Sequence, residues 1–586
     1  MTARRAALAC SLAIGLAGCL SVPEGPAPMC TRNSDCNTSA GEVCQENVCW
    51  GDPPPGPFAA VAAPPSTRRD LVSRELPQIE IPPDGLLADI ALETPAVLTG
   101  KVLAYCPPPT TGCDATLAST ITVSRDSQFL GGPGFKATVD VDAGAESFSI
   151  PVPGGTSGGA AYSVTIVPSS DPSSGSGHSA AELAPPMRLE LGLADTASTK
   201  TIVLGGPDLP VITGALTNSL DQGLAGYRVS ALGRWVATES PTEVSSVDFT
   251  DSSGAYALTL SADLVGTIEI VARPPATMVA PTIHLASIDA TKSSQQHNAV
   301  LPANLGNGTT VTIHVTGVDL SGAIADVAGA QVSIAGGMVS ANGQAAFTLT
   351  DQEVTDDKGL VILSELDGAG IADSFAMSII PPQSSTFGVV LNQKVTTTAR
   401  LTSRVALRGV VVDSTGAPVA NATVTARPSL KFLWTLEAAP QAFVAAIPAA
   451  TAVTLDTGEF VLWVDPVVTS VASDYDLVIE PPTTARAPSY VKTDVAVQTS
   501  ALDVPPLGIS LGSIGLPDAS FVHGHILGPD GVAIENAELR LYLIAASPAA
   551  LCNELAHAPS SCSIPAQIQG RNTSDAKGMF RLTLAR

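Results

Sequence analysis

The sequence predicts an all-β protein, a tandem array of about five small β-sandwiches behind a small disulfide-rich module. Three observations carry that expectation. Apolar residues make up 45% of the chain and charged ones only 14%, while 51 glycines and 47 prolines punctuate the apolar runs, a composition that favours many short strands joined by turns. The 586 residues exceed what a single core accommodates, so several domains are expected. A strand-opening pattern centred on a glycine also returns five times at a domain-sized period.

The amino terminus comes first. Arg4 and Arg5 precede an apolar run, Ala6 to Ala17, that is too short to span a bilayer as a mature helix and reads as an export signal over residues 1–19. The run ends in Leu16-Ala17-Gly18-Cys19, which resembles the bacterial lipobox; the resemblance implies that Cys19 is lipidated and becomes the mature amino terminus. The alternative is an ordinary secretory signal that contains a cysteine. Leu20 follows the cysteine, and by the same resemblance the absence of Asp there favours the outer membrane.

Ten cysteines are present, and setting aside Cys10 and Cys19 leaves eight, an even number in an oxidising compartment. Cys30, Cys36, Cys44 and Cys49 cluster within residues 20–50, too short a stretch to build a core, so two disulfides of undetermined pairing are expected to staple it. Zinc is the alternative, disfavoured because the usual C-x2-C knuckles are missing. The cluster resembles small cysteine-rich modules found just after the lipobox in large surface lipoproteins of myxobacteria. Proximity suggests two further local bridges, Cys106–Cys113 and Cys552–Cys562. Residues 51–78, rich in proline, read as a semi-rigid spacer.

The repeat follows. Gly100, Gly214, Gly317, Gly409 and Gly524 each sit in an apolar strand-like run, 114, 103, 92 and 115 residues apart. This spacing divides the chain into sandwiches at 79–205, 206–305, 306–400, 401–515 and 516–586. The fourth unit is the clearest. Gly409-Val410-Val411-Val412-Asp413 leads through a Gly416 turn to the strand-like Val419 to Ala426; Asp456-Thr457-Gly458-Glu459-Phe460 is a turn before a strand with an inward aromatic, and a last strand stops at Pro481-Pro482. Equivalent turns lie at Asp251 to Gly254, Asp356 to Gly359 and Asp575 to Gly578, and equivalent strand ends at Pro274-Pro275 and Pro381-Pro382. Unit five stops at Arg586, eight residues beyond Gly578, so it is expected to lack its last strand and to expose an edge.

These motifs resemble the carboxypeptidase regulatory-like domain, marked by G-x-V-x-D-x-x-G-x-P-V-x-x-A-x-V and a later D-x-x-G-x-Y/F. Unit four matches both halves, unit five keeps Gly524, Gly531, Ala533 and Asn536-Ala537, unit two keeps mostly the turn, and units one and three are partial. The resemblance implies an Ig-like, transthyretin-like sandwich of seven strands, used as a structural module and carrying no catalytic residues.

Chemistry is sparse. Gly155-Thr156-Ser157-Gly158-Gly159 fits G-x-S-x-G, but a nucleophile elbow needs a strand before it and a helix after it, and both flanks are strand-like. His523 and His525 alternate on one strand with nothing nearby in sequence to complete a metal site, and the acidic turn residues are ordinary turn formers. Lys101 lies in the first strand of unit one, but no repeated Lys, Glu and Asn set accompanies it for an isopeptide bond. The 29 basic residues against 54 acidic ones give a net charge of -25, which disfavours nucleic acid or an anionic surface as partner. The expectation is therefore a non-catalytic lipoprotein of the cell envelope, without cofactor or metal, held on the membrane by its lipid and serving a structural or adhesive role. The alternatives are a surface protein binding a glycan or protein ligand, and an accessory subunit of an envelope secretion or assembly complex.

Overall fold

Sandwich 4 shows how the repeated motifs become structure. Its first strand, Val405–Val412, lies between the fourth, Glu459–Val464, and the seventh, Ile509–Gly515. The facing sheet runs third, second, fifth, sixth: Ala450–Val453, Thr423–Pro428, Ser473–Glu480, Tyr490–Val497. Neighbours are antiparallel except the first and seventh strands, which are parallel. Inward residues of both sheets, among them Leu407, Val411, Val424, Phe460, Leu462 and Leu477, form one core.

The computed structural model describes residues 29–586 except 106–115, 130, 146, 155–160, 170–183, 238–240, 291, 293, 302–309, 320, 340–345, 365–374, 384, 430–431, 433–446, 448, 467–472, 483, 498–507 and 545–566. Among the described residues the chain is all-β: every regular element longer than five residues is a strand, and no helix is long and apolar enough to cross a membrane. Sandwich 1 (Ala96–Ala104 through Lys200–Leu204), sandwich 2 (Val211–Asn218 through Ala299–Leu301) and sandwich 3 (Thr310–Val318 through Thr398–Leu401) repeat the order of sandwich 4.

The repeated glycine has a steric cause. A Cβ at Gly100, Gly214, Gly409 or Gly524 would stand 2.5–2.9 Å from the ring of Phe148, Tyr256, Phe460 or Phe580, each on the fourth strand of its unit. The first strand is thus bare where an aromatic ring from its neighbour lies across it. Unit three has no aromatic at that place; Phe387, from the segment before the sixth strand, covers Gly317 instead.

The turn before the fourth strand contains a second repeated device, a buried hydroxyl. Thr250, Thr355, Thr454 and Ser574 each donate to the carbonyl of Leu224, Val327, Val419 or Ile534 at 2.5–2.7 Å. Each also accepts from the amide of Tyr227, Ala330, Ala422 or Ala537 at 2.8–3.0 Å. One side chain therefore satisfies two backbone groups that burial would otherwise strand. Asp251, Asp356 and Asp575 then close the turn by accepting amides two and four residues on. In unit four Leu455 occupies that place and Asp456 stands one residue later, so Asp456 is not the turn former.

Sandwich 5 departs most from expectation. Its first four strands are Ala519–Leu527, Glu538–Leu543, Gln567–Thr573 and Met579–Ala585; its fifth, sixth and seventh are Phe58–Ala63, Arg74–Ile79 and Ile90–Ala91. Phe58 to Ala63 pairs antiparallel with Leu543 to Glu538, and Ile90-Ala91 runs parallel to Ile526-Leu527, as fifth pairs with second and seventh with first in sandwich 4. The unit is a circular permutant whose two parts are separated by residues 92–518. Three corrections follow. Residues 51–78 are not a spacer, because two of these strands lie among them; sandwich 1 begins at Ala96 rather than residue 79; and the 516–586 unit lacks three strands in sequence but none in space, so its expected open edge is covered.

The chain thereby closes into a loop of sandwiches, with sandwich 5 joined covalently to both sandwich 1 and sandwich 4. Each junction is built. Glu75 accepts from Ser127 and the Gln128 amide between sandwiches 5 and 1, and Ser261 donates to the Pro186 carbonyl between 1 and 2. Sandwiches 2 and 3 share a continuous sheet through Thr282–Asp289 paired with Ala346–Val354, and their cores merge. Between 3 and 4, Arg404 and Asp465, each 3% exposed, lie 3.4 Å apart; Arg404 also donates to the Gln383 and Ser385 carbonyls, and Asp465 accepts the Val389 amide.

Candidate functional site

The place where both ends of the loop meet begins with the cysteine module. Disulfides join Cys30 to Cys44 and Cys36 to Cys49, closing loops of 14 and 13 residues. Cys44 and Cys49 face each other across a hairpin, Val43–Gln45 and Val48–Trp50, whose turn residues Glu46 and Asn47 both take positive φ, the geometry that suits the twist of a two-residue hairpin. Asp35 ties the first loop by accepting the Thr31 and Arg32 amides and the Thr31 hydroxyl, which holds its carboxyl below the usual carboxylate range.

The module is a docked knob rather than a bead. Trp50 is 2% exposed; its indole donates to the Gln45 carbonyl, and its ring stands edge-on to Phe521 and lies 4.4 Å from the ring of His523. The Gly51 amide donates to the Phe521 carbonyl and Ser520 donates to the Gly51 carbonyl. Charged groups close the rim: Arg581 pairs with Glu46 and stacks over Trp50, while Arg586 reaches Glu42 and Asp52.

Beside the knob a cleft of about 360 Å³ opens against sandwich 4, with Trp50 and Glu46 on one wall, Arg571, Asn572 and Arg581 on another, and Arg486 from the loop after the fifth strand of sandwich 4. Three arginines converge there in a chain of strongly negative charge. Sequence reasoning did not single out these arginines, because Arg486 comes from a segment 85 residues before Arg571 and 95 before Arg581.

The histidine pair is divided by its surroundings. Burial and neighbouring His525 push the His523 imidazole below its ordinary value, which keeps it neutral under Trp50, while His525 turns to Asp89 at 3.3 Å. Among the described residues the metal-ligand groupings are formed by the module cysteines with Glu42, and those sulfurs are bound to one another. Cys19, the proposed pairs Cys106–Cys113 and Cys552–Cys562, and Ser157 of the G-x-S-x-G match lie outside the described residues. That match is nonetheless bracketed by strands Phe148–Val152 and Ala161–Pro168, where an elbow would require a helix to follow. Trp235 packs partly buried against the core of sandwich 2, and Trp434 lies outside the described residues.

No protein-family model matches the chain, and no curated protein matches it either. Among solved structures it is similar to the TIE protein of Bacillus anthracis (11% identity over 72% of this chain and 74% of that one, TM-score 0.13). Similar too are a streptococcal ancillary pilin (10% identity, 53% and 99%, TM-score 0.15) and the shaft pilin SpaA of Lactobacillus rhamnosus GG (13%, 35% and 98%, TM-score 0.14). At such TM-scores the likeness carries no argument about what this chain does.

Proposed function

We propose that the chain is a non-catalytic lipoprotein of the cell envelope, lipidated at Cys19 on the outer membrane, that displays a closed set of carboxypeptidase regulatory-like sandwiches in a structural or adhesive role. The observation that carries this reading is the anchoring of the amino-terminal segment: the knob that follows Cys19 is stapled by two disulfides and docked on sandwich 5, and the next strands complete that sandwich. A tether at Cys19 would therefore hold the whole loop rather than trail from it. Two disulfides also suit an oxidising compartment. The test is partitioning into detergent: the wild-type chain is expected in the detergent phase and a Cys19→Ser variant in the aqueous phase, and a variant that stays with detergent refutes the anchor.

A second reading, recognition of an acidic glycan or peptide, is favoured by the cleft between the knob and sandwich 4, where Arg486, Arg571 and Arg581 converge. A glycan array carrying uronate and sulfated chains separates the two, since a purely structural chain binds none of them.

A further inference from the structure

The two parts of sandwich 5 have no covalent connection inside the sandwich; they are joined only through residues 92–518. The carboxy-terminal part, taken by itself, leaves one side of strand Glu538–Leu543 without a partner and bares Val522, Ile526, Leu539 and Phe580. The amino-terminal part supplies what fits: Phe58, Ala60, Leu87 and Ile90 for the core and six residues of register for the open edge. Nothing in that fit depends on the two parts belonging to one molecule, because a second copy offers the same side chains and the same register.

The order of synthesis favours exchange. Strands Phe58–Ala63 to Ile90–Ala91 are made first; Phe58–Ala63 and Arg74–Ile79 pair with each other, but the other edge of Phe58–Ala63 and the whole of Ile90–Ala91 have no partner until Ala519 onward exists, after four sandwiches have been completed between them. Closure within the chain then requires those four sandwiches to bring the two parts together, a contact of extreme sequence separation and slow to form. The links that would carry an exchanged part are short and contain proline: Glu93-Thr94-Pro95 leads into sandwich 1 and Leu516-Pro517-Asp518 leads out of sandwich 4. Proline keeps the residue before it, Thr94 or Leu516, extended, so each link runs on as a short straight segment rather than a turn.

We propose that sandwich 5 is also a joint between copies: residues 58–91 of one chain complete residues 519–585 of another, linking molecules head to tail through the sandwich that otherwise closes each chain on itself. The partner is a second copy of this chain, and the interface is the one already formed within the monomer.

Ala63 and Glu538 face each other in the register, and both are partly exposed. Two full-length copies with different tags are co-expressed and exported, one carrying only Ala63→Cys and the other only Glu538→Cys. The expected result is a reducible species containing both tags at twice the chain mass, absent when Ala63→Cys copies are paired with each other. A third chain carrying both substitutions reports competence, since its cysteines should bond within the monomer. If the double variant forms that internal bond and the mixed pair yields no heterodimer, the proposal is overturned. If the double variant forms no bond of either kind, the register itself is wrong and the proposal falls with it.

Discussion

Replacing Phe58 by Ala tests whether the two ends of the chain form one cooperative unit. Phe58 is 3% exposed and sits in a core with Leu539, Leu541, Phe580 and Leu584, all more than 480 positions away in sequence. Removing a buried Phe side chain costs about 3–5 kcal/mol through lost transfer energy and the cavity left behind. At about 1.4 kcal/mol per factor of ten, amides protected only by opening of this unit should exchange roughly a hundredfold to several thousandfold faster. Hydrogen exchange with mass spectrometry reads the effect in peptides covering Met579–Ala585 and Glu538–Leu543, with peptides of sandwich 4 as the internal standard because its core shares no residue with that of sandwich 5. Acceleration confined to residues 58–79, with Met579–Ala585 as protected as in the wild type, would refute the reasoning, since it would show a carboxy-terminal part stable without its partner strands.

Thr454→Val leaves the Val419 carbonyl and Ala422 amide unpaired, for a loss of about 1–3 kcal/mol in urea unfolding followed at Trp463, whereas Thr454→Ser retains both hydrogen bonds and should lose about 1 kcal/mol or less. Arg404→Met isolates Asp465, whose carboxyl is already raised above its usual range because burial outweighs the nearby guanidinium. Such a group stabilises the fold below its unfolded value near 3.8 and loses that contribution as pH climbs through the raised folded value. Without the cation that window extends upward, so the variant should lose about 3–5 kcal/mol at neutral pH and recover part of it on acidification in a Tm-against-pH series. The double change Cys36→Ser with Cys49→Ser opens a 13-residue loop, worth about 3 kcal/mol to the knob, and the emission of Trp50 should shift to the red while unfolding of sandwich 4 stays unchanged.

Much of the sandwich was legible because its causes are local. The glycine and the aromatic ring that covers it, the D-x-x-G turn and the Pro-Pro strand end recur together, and each answers to a steric or hydrogen-bonding need within a few residues or one neighbouring strand. The buried Thr or Ser before the turn was equally written in the chain, as Thr250, Thr355, Thr454 and Ser574 each four residues before the turn glycine, but a lone hydroxyl has no signature until its two partners are seen. The permutation was hidden for a different reason. Phe58–Ala63 followed by Pro64-Pro65 is the same closing strand found before Pro274-Pro275, Pro381-Pro382 and Pro481-Pro482, and the same turn follows, with the amide three residues past the second proline donating to its carbonyl in all four. It lacks the alternation of a half-exposed strand because its outer face is covered as well: Ala59 and Val61 lie under Phe129 of sandwich 1 and Tyr542. Set among prolines, an alanine-rich run buried on both faces reads as a spacer. The arginine cleft was beyond reach altogether, since it exists only once the loop has closed.

The split of sandwich 5 also makes the molecule report on its own completeness. A chain that breaks off anywhere before Ala519, by early termination or by proteolysis, leaves Phe58, Leu87 and Ile90 uncovered at the opposite end, however well the intervening sandwiches have folded. Damage to the tail is thus displayed at the head as bare apolar surface, the feature that proteases and holdase chaperones bind. A defect that would stay silent in an ordinary string of beads becomes visible at the amino-terminal end, beside the disulfide-stapled knob.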